Sequence, residues 1–270
     1  MEIVRARRLL KLRSILVASG LALSVPAAAD NAELHTFHCL AGCPAGVSEL
    51  NDTAVREIYS LSSNDLTKLA DWVAYRVTPE TIGRSGARDF QPDPWLSPDE
   101  TLETSDYTGA NAALGADRGH QAPLAALSGT ARPADTNLLS NITPQQAALN
   151  QGSWQRLETA ERDLVGRERR ALYVLTGPLF ERITAPLPAA DERHRVPSGY
   201  WKVIATEDGR ATAFVFDQST PRAANHCDMR VTIEHVEYRA RLDLFPREPK
   251  PFTRNLDAEL GCRPARTGAP

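Results

Sequence analysis

Residues 117–120, Asp117-Arg118-Gly119-His120, are the segment around which the rest of the chain is predicted to fold. A histidine suits activation of water near neutral pH, because its unperturbed pKa lies in that range. Arg118, together with Arg88 upstream, can bridge phosphate oxygens through a planar guanidinium. Asparagines follow at positions 137, 141 and 150. This pattern predicts a site for metal-assisted phosphodiester hydrolysis, in which a cation stabilises charge on the phosphate.

Residues from Asn150 to about 170 form the clearest predicted helix. Apolar residues recur there with helical spacing, and Asn150 stands near the N-cap. Asn150, Glu158 and Arg162 are eight and four residues apart, so they share roughly one face. An amide oxygen on Mg2+ leaves the ion's charge undiminished, and Glu158 could hold the waters that magnesium usually keeps. The helix therefore predicts one side of a metal site.

The remaining apolar segments predict a single α+β domain with a central, mainly antiparallel sheet flanked by helices. Residues 78–103 are polar and rich in proline, which indicates an irregular surface loop. Pro144 is predicted in the first turn of a helical piece. Gly177-Pro178 is expected to end the strand before it. The predicted strands are Val55–Leu61, Trp72–Val77, Ala171–Thr176, Tyr200–Ala205, Ala213–Phe216 and Met229–Val236.

The N-terminus has the three parts of a signal peptide, predicted over residues 1–29. A basic region precedes the apolar run Ser14–Val25, and Ala27-Ala28-Ala29 forms a cleavage site. The Arg7-Arg8 pair leaves a twin-arginine signal open beside an ordinary secretory one. We therefore expect a secreted or periplasmic protein without a membrane segment after signal removal. The domain is predicted over residues 30–262, and residues 263–270 are predicted to be a flexible tail.

Charge argues against a protein that binds nucleic acid through a generally basic surface. The net charge is −3, and removal of residues 1–29 takes away five basic residues and one acidic residue, which leaves −7. A nucleic-acid binder of that class would carry a basic face. A nuclease whose positive charge is confined to one cleft, with a bound metal, stays compatible with this balance.

The cysteines, Cys39, Cys43, Cys227 and Cys262, all lie in the exported part. An even count in an oxidising compartment predicts two disulfides, for which three connectivities exist. Pairing near with near, Cys39–Cys43 and Cys227–Cys262, is the simplest of them. A zinc site is a second interpretation of the first pair, because His35 and His38 lie beside it.

The stretch 117–125 and two segments that follow it carry a family resemblance. Residues 117–125 resemble the signature of the DNA/RNA non-specific endonucleases, and the segments expected after it follow in order and at compatible distances. They are Ser140-Asn141-Ile142-Thr143-Pro144-Gln145 and Leu149-Asn150-Gln151-Gly152. Residues 70–75, 106–111, 176–179 and 197–202 are also similar, so the resemblance runs from about Cys39 to Cys262. The segment 242–255 matches the family poorly.

The resemblance implies a ββα-metal motif within the α+β domain and a set of catalytic roles. His120 would be the general base that activates water. Asn150 would be the only protein ligand of Mg2+, for which Mn2+ could substitute, and Glu158 would orient the coordinated waters. Arg88 would stabilise the leaving group, and Arg118 would act at the phosphate. The products implied are 5′-phosphate ends from both DNA and RNA.

The resemblance also implies supporting roles for four more residues at the site, and it implies a homodimer as one possible oligomeric state. Arg162 would contact the phosphate, and Asn141 would position the phosphate or a base. Asp117 and Asn137 would be supporting residues, although a cap or turn hydrogen bond explains them equally well. The near-pair disulfides agree with the family.

Other functions stay open at this point. A catalytically inactive homologue that binds nucleic acid is disfavoured, because every residue assigned to the chemistry is present. A hydrolase of small phosphodiesters would differ by its preference for monomeric substrates. A periplasmic zinc-binding protein would require free thiols at Cys39 and Cys43. The sequence therefore favours a secreted, Mg2+-dependent endonuclease.

Overall fold

A seven-stranded antiparallel sheet lies at the centre of the computed structural model, which describes residues 34–84, 86–247 and 252–262. The strands follow the order β1-β2-β3-β6-β7-β8-β9 across the sheet, and β4 and β5 form a separate antiparallel pair. Their bounds are Asp52–Val55 (β1), Ser60–Asn64 (β2), Leu69–Val77 (β3), Ala116–His120 (β4), Ile142–Gln146 (β5), Leu172–Leu179 (β6), Gly199–Ala205 (β7), Ala211–Asp217 (β8) and Arg230–Val231 (β9). The predicted signal peptide and tail lie outside the described residues.

Helices and short helical turns connect and cover the strands. The α-helices are Ala110–Leu114 (α1), Leu124–Leu127 (α2), Ala147–Leu149 (α3), Gln155–Glu168 (α4) and Ile233–Ala240 (α5). A π-helical turn, Asn150–Trp154, joins α3 to α4. Turns of 3-10 helix are Pro98–Glu100, Pro133–Asn137, Leu139–Asn141 and His226–Met229. The predicted α+β class with a mainly antiparallel sheet and flanking helices is confirmed.

The sheet is buried on both faces, which explains why its central strands are mostly apolar. Every residue of β7 is buried. On one face, Leu157, Leu164 and Val165 of α4 pack into the larger core cluster. On the other face, Val236 of α5 packs into a second cluster, which also holds the Cys39–Cys43 segment. Burial of such side chains stabilises a fold by about 1.5–3 kcal/mol each, so the sheet is a rigid base for the site.

Two predicted strands are wrong because a turn interrupts the first run of strand-forming residues and a helix begins within the second. Val55–Leu61 is not one strand, since β1 ends at Val55 and the Arg56 amide donates to the Tyr59 carbonyl at 2.8 Å before β2 begins. Met229–Val236 contains only the short β9 and then the start of α5. The Thr232 hydroxyl accepts from the His235 amide at 3.1 Å and caps α5, so a capping signal overrides the alternation.

Two proline positions also differ from the predictions. Pro144 lies in β5, opposite Arg118 of β4, and not in a helix. Its carbonyl accepts from the Tyr200 hydroxyl and from the side-chain Nε2 of Gln218, both at 2.8 Å, so tertiary contacts keep the backbone extended. Pro178 does not end its strand, because β6 continues to Leu179 and pairs with β7 along its length.

Both disulfides have the near-pair connectivity. Cys39 is bonded to Cys43 and Cys227 to Cys262, which accounts for all four cysteines. His226 lies against the second pair, but bonded sulfurs are not thiolate ligands for a metal. The zinc interpretation of the first pair is excluded for the same reason, and His38 instead contacts the Arg56 carbonyl at 3.0 Å.

Candidate active site

The β4–β5 pair and the helix that follows form a ββα unit on one side of the sheet. β4 runs antiparallel to β5, with His120 opposite Ile142. Side chains alternate along a strand, so Arg118 and His120 project from the same face of β4. The chain then leaves β5 directly into α3 and the π-helical turn, which begins at Asn150. The predicted ββα motif is therefore present and brings His120 and Asn150 to one place.

Two glycines permit the close packing of this unit. A Cβ on Gly119 would lie 2.6 Å from Oε1 and 2.7 Å from Cβ of Gln145, so only glycine fits between the two strands. A Cβ on Gly152 would lie 2.8 Å from the Arg222 carbonyl oxygen. Gly152 also has non-helical angles (φ −112°, ψ −119°), which break the helix between Asn150 and α4. These glycines set the positions of the flanking site residues.

A cleft of about 530 Å³ opens between β4, α4 and the loop before α1. It is lined by seven of the nine residues predicted to form the site, namely Arg88, Asp117, Arg118, His120, Asn150, Glu158 and Arg162. Asn137 lies behind His120, and Asn141 lies apart from the cleft. The cleft also contains Phe90 and Tyr107, which the sequence did not single out.

His120 is held as a neutral imidazole by its surroundings. Its Nε2 lies 3.0 Å from Oδ1 of Asn137, whose amide nitrogen donates to the Ala87 carbonyl at 3.3 Å. An amide oxygen only accepts, so this contact assigns the proton to Nε2 and leaves Nδ1 with its lone pair. Burial lowers the pKa of His120 to about 4, and the positive charge of Arg88 acts in the same direction. The residue is therefore a base at neutral pH.

Asp117 fixes the orientation of the Asn150 amide. Its Oδ2 accepts from Nδ2 of Asn150 at 3.0 Å and from Nε2 of Gln151 at 2.7 Å. Its Oδ1 accepts from Nδ2 of Asn111 at 3.1 Å. Because an ionised carboxylate only accepts, the Asn150 nitrogen must face Asp117. The Asn150 oxygen is then the atom left to bind a cation.

A buried ionic network supports Glu158 from behind α4. Nζ of Lys202 lies 3.7 Å from Oε1 of Glu158 and 3.2 Å from Oε1 of Glu161, and both Lys202 and Glu161 have 0% exposure. The Tyr75 hydroxyl lies 3.3 Å from both Lys202 and Glu161. Burial raises the pKa of Glu158, and the Lys202 cation opposes this rise. The network links the sheet to the one carboxylate of α4 that lines the cleft.

Sequence reasoning missed this network, although one signal for it existed. Lys202 lies within β7, whose other residues are uncharged and buried. Lysine is almost never fully buried unless it is paired, so a lysine in such a strand indicates a carboxylate nearby. Its partners come from β3 and α4, which local spacing could not identify.

Arginines give the cleft a positive wall. Nη2 of Arg118 donates to the Thr104 carbonyl at 2.9 Å, and its guanidinium lies 5.3 Å from the ring centres of Phe90 and Tyr107. Nη2 of Arg162 donates to the Thr159 hydroxyl at 2.9 Å. Nη1 of Arg162 is buried and has no hydrogen-bond partner among the described residues. An unpaired guanidinium nitrogen at a cleft fits an anion such as phosphate.

Asn141 has a different position from the one predicted for a substrate contact. It is fully buried, and its side chain bonds only to backbone in the described contacts. Its oxygen accepts from the Ala122 amide at 2.8 Å, and its nitrogen donates to the carbonyls of Ala122 and Thr136. We therefore assign Asn141 to holding the loop between β4 and β5, which carries Asn137 behind His120.

Comparison with known proteins gives a consistent result. Residues 42–250 match the profile of the family described as DNA/RNA non-specific endonuclease. The chain is 43% identical over 259 residues to a nuclease of Serratia marcescens, a match that covers 94% of this chain and 97% of that protein. It is 36% identical over 178 residues to human mitochondrial endonuclease G, a match that covers 60% of this chain and 57% of that protein.

A solved structure shows the same fold. A chain in the crystal structure of the EndoG/EndoGI complex, which concerns EndoG inhibition, superposes with a TM-score of 0.65 at 24% identity. The match covers 78% of this chain and 92% of that chain. At this identity the likeness establishes the fold, including the large antiparallel sheet and its helices.

Proposed function

This chain belongs to the DNA/RNA non-specific endonuclease family, and from that premise we propose that it hydrolyses phosphodiester bonds within both DNA and RNA. We propose further that the reaction requires Mg2+ and leaves 5′-phosphate ends. The observation that carries the proposal is the juxtaposition in one cleft of a neutral His120, an oriented Asn150 amide and three arginines. Each of these groups matches one requirement of phosphodiester hydrolysis.

The proposed chemical step uses His120 as the general base. Nδ1 of His120 accepts a proton from a water molecule as the water oxygen attacks the phosphorus. The P–O3′ bond breaks, the phosphate stays on the 5′ oxygen of the downstream nucleotide, and the leaving 3′ oxygen takes a proton from solvent. Asn137 keeps the imidazole in the required tautomer through the 3.0 Å hydrogen bond. General-base catalysis of this kind contributes about 10²–10⁴-fold to a rate.

The arginines are proposed to bind the phosphate and stabilise the charge that develops on it. Arg118 and Arg162 lie on the strand and helix sides of the cleft, and Arg88 lies exposed on the loop beside His120. Guanidinium groups bind phosphate oxygens in a fixed geometry, so they act without a large rearrangement. Contacts of this kind read the backbone and not the base edges, which is consistent with cleavage of any sequence.

The residues present fit a magnesium ion. Asn150 offers an oxygen because its nitrogen is bonded to Asp117, and Glu158 lines the same cleft with 13% side-chain exposure. Magnesium usually binds few protein oxygens and keeps several waters. When bound, it would supply positive charge at the scissile phosphate. Asn150 would hold the ion, with Mn2+ as a substitute, and Glu158 would accept hydrogen bonds from its hydration shell.

We propose that the protein is exported to the periplasm or the medium. Both cysteine pairs are bonded, which is typical of proteins from oxidising compartments. Over the described part of the chain, no helix has the length and apolarity needed to cross a bilayer. The signal peptide over residues 1–29 and a homodimeric state both stay predictions.

The proposal is tested by incubating the purified protein with supercoiled plasmid and with ribosomal RNA. We expect both polymers to be degraded with Mg2+ and spared with EDTA, and the DNA products to be joined by a ligase, which requires 5′-phosphate ends. Cleavage of DNA alone would refute the indifference to the sugar. Binding of both polymers without cleavage would replace catalysis by a nucleic-acid-binding function.

Replacement of Asp117 by asparagine is expected to weaken the apparent Mg2+ affinity by about 10–100-fold, as is usual when the partner of a metal ligand is lost. The introduced amide could donate as well as accept, so the Asn150 side chain would no longer be forced to present its oxygen. The measurement is the initial cleavage rate as a function of Mg2+ concentration. Asn111→Ala removes a 3.1 Å contact to the other Asp117 oxygen and serves as the control. An unchanged Mg2+ dependence in Asp117→Asn would refute the positioning role.

The rate of cleavage is expected to stay nearly constant between about pH 7.5 and pH 6. An ordinary imidazole with a pKa of about 6.5 would be roughly three-quarters protonated at pH 6. The pKa of His120 is lowered to about 4, so its neutral, basic form persists through this range and is lost only in more acid solution. Initial rates in buffers of constant ionic strength provide the measurement. A decline centred near pH 6.5 would contradict it.

A further inference from the structure

Trp95 differs from the other tryptophans of the chain in its exposure. The chain has four tryptophans, of which Trp72, Trp154 and Trp201 are at most 1% exposed. Trp95 is 59% exposed and lies in the loop that leads from the cleft towards α1. Single exposed apolar side chains are common on protein surfaces, so exposure alone does not mark Trp95 as a site, and its contacts decide what it can do.

One ring face of Trp95 rests on a built support. The guanidinium carbon of Arg56 lies 3.9 Å from the Trp95 ring centre. Arg56 is only 5% exposed and forms a buried ion pair with Asp93. Oδ1 of Asp93, which contacts Arg56, also accepts from the Trp95 backbone amide at 2.9 Å, and Oδ2 of Asp93 accepts from the Ser140 hydroxyl. The indole is thus fixed in place before any ligand arrives, while more than half of it stays accessible.

The loop connects this platform to the cleft. Arg88 and Phe90 line the cleft, and the Phe90 ring centre lies 5.6 Å from that of His120. Gln91 is bonded to the segment behind His120, since its amide donates to the Asn137 carbonyl at 3.2 Å. Trp95 is five residues beyond Phe90, so the two residues are at most about 17 Å apart along the chain. At about 3.4 Å per nucleotide along a stacked strand, this upper limit corresponds to about five nucleotides.

We propose that Trp95 is a stacking subsite for a nucleobase of a single-stranded stretch of the substrate, a few nucleotides from the scissile phosphate. This subsite rests on the proposed function and adds a second contact outside the cleft. Every base has a π-face, so stacking on an indole tolerates any sequence. The Arg56 cation beneath the ring and the fixed position of the indole favour this use over a flexible surface contact.

Intrinsic fluorescence tests the contact directly, because the other three tryptophans are buried. The His120→Ala variant with Mg2+ is titrated with a single-stranded oligonucleotide of about 12 nucleotides, a length that reaches beyond the cleft. We expect saturable quenching and protection of one tryptophan from acrylamide. The same titration of the His120→Ala/Trp95→Phe double variant should show neither effect. Quenching that persists in the double variant would overturn the assignment to Trp95.

Cleavage kinetics test the function of the contact. Trp95→Ala is expected to raise KM for the long oligonucleotide by about five- to 100-fold, the range that loss of one stacked base produces, with little change in kcat. A dinucleotide substrate, which cannot reach Trp95, should be cleaved as by the wild type. Trp95→Phe keeps an aromatic face and should retain most of the affinity. Leu66→Ala, which alters another exposed apolar residue at 67% exposure, is the matched control.

The outcomes separate this inference from the proposed function. If the wild type cleaves neither polymer, the proposed function fails, and the subsite fails with it. If the wild type cleaves but Trp95→Ala leaves KM for the long oligonucleotide unchanged, only the subsite is overturned. An equal loss on the dinucleotide and the long oligonucleotide would also overturn it, because the effect would then arise from the cleft and not from a distant base.

Discussion

Replacing His120 with alanine is expected to lower kcat/KM for both DNA and RNA by about 10²–10⁴-fold, the usual contribution of a general base. The side chain is the base that faces the cleft with an available nitrogen, since Nε2 is bonded to Asn137 and Nδ1 is left with its lone pair. Its neutral form is secured by a pKa lowered to about 4. Steady-state rates on plasmid and on RNA provide the measurement, with Mg2+ at saturation so that metal binding does not limit them.

The loss should appear in kcat, because the base acts on water and not on the bound polymer. Oligonucleotide affinity of the His120→Ala variant should therefore stay close to that of the wild type. His120→Asn keeps a polar side chain of similar size without a basic nitrogen and should be equally inactive. Retention of more than about a tenth of the wild-type kcat by either variant would refute the role of His120, since such a change is below the range of general-base catalysis.

The same residue should affect stability in acid with a defined sign. The pKa of His120 is about 4 in the folded protein, against an ordinary value of about 6.5 in the unfolded chain. Between these values the unfolded state binds more protons, so the free energy of unfolding falls as the pH falls from about 6.5 to 4. The alanine variant should lose less stability across this window. Chemical denaturation at both ends of the window distinguishes this effect from a general loss of structure.

The family resemblance, and not local pattern alone, predicted the ββα unit and the meeting of His120, Asn150 and Glu158 at one cleft. Local pattern missed β5, because it placed Pro144 in a helical piece. The helix α4 was predictable from the helical spacing of its apolar residues, and β3, β6, β7 and β8 were predictable as short runs of strand-forming residues. The orientation of the Asn150 amide was not predictable, because it depends on where the Asp117 carboxylate lies.

Contacts between distant segments explain most of what the sequence did not predict. Tyr75 and Lys202 are 127 residues apart, and Tyr75 and Glu161 are 86 apart, yet their side chains meet behind α4. Asn141 belongs to a motif near the site but turns inward to satisfy buried backbone groups. Its residue type suits either role, and only the three-dimensional arrangement decides between them.

Replacing Lys202 with methionine is expected to destabilise the fold by about 3–5 kcal/mol, the usual cost of removing one partner from a buried ion pair. Lys202 is fully buried, and its Nζ lies 3.2 Å from Glu161 and 3.7 Å from Glu158. Methionine fills a similar volume, so the cavity contribution is small. The cost arises because the Glu158 and Glu161 carboxylates would be left close together without the Lys202 cation. Urea denaturation of the variant and the wild type provides the measurement.

A double variant separates the charge effect from simple loss of packing. The Lys202→Met/Glu161→Gln variant removes the fully buried Glu161 carboxylate together with the Lys202 cation. Its free energy of unfolding should therefore recover a large part of what Lys202→Met alone loses, so the two substitutions are not additive. Lys68→Met changes a half-buried lysine that is outside the network and should alter stability by no more than about 1 kcal/mol. A double variant as unstable as Lys202→Met would show that the lysine acts through packing alone.

The network should also determine the acid limit of activity. The Lys202 cation holds down the pKa of Glu158, which burial otherwise raises. Removing the cation should raise that pKa further, so Glu158 would be protonated at a higher pH and activity would be lost at a higher pH as the solution is acidified. In the double variant, loss of the Glu161 charge lowers the pKa of Glu158 and offsets part of this effect, but Lys202 makes the larger contribution, so the acid limb of the pH–rate profile should still shift upward by a reduced amount. A profile that superposes on the wild type would mean that Lys202 does not control the charge of Glu158, and the network would then serve stability alone.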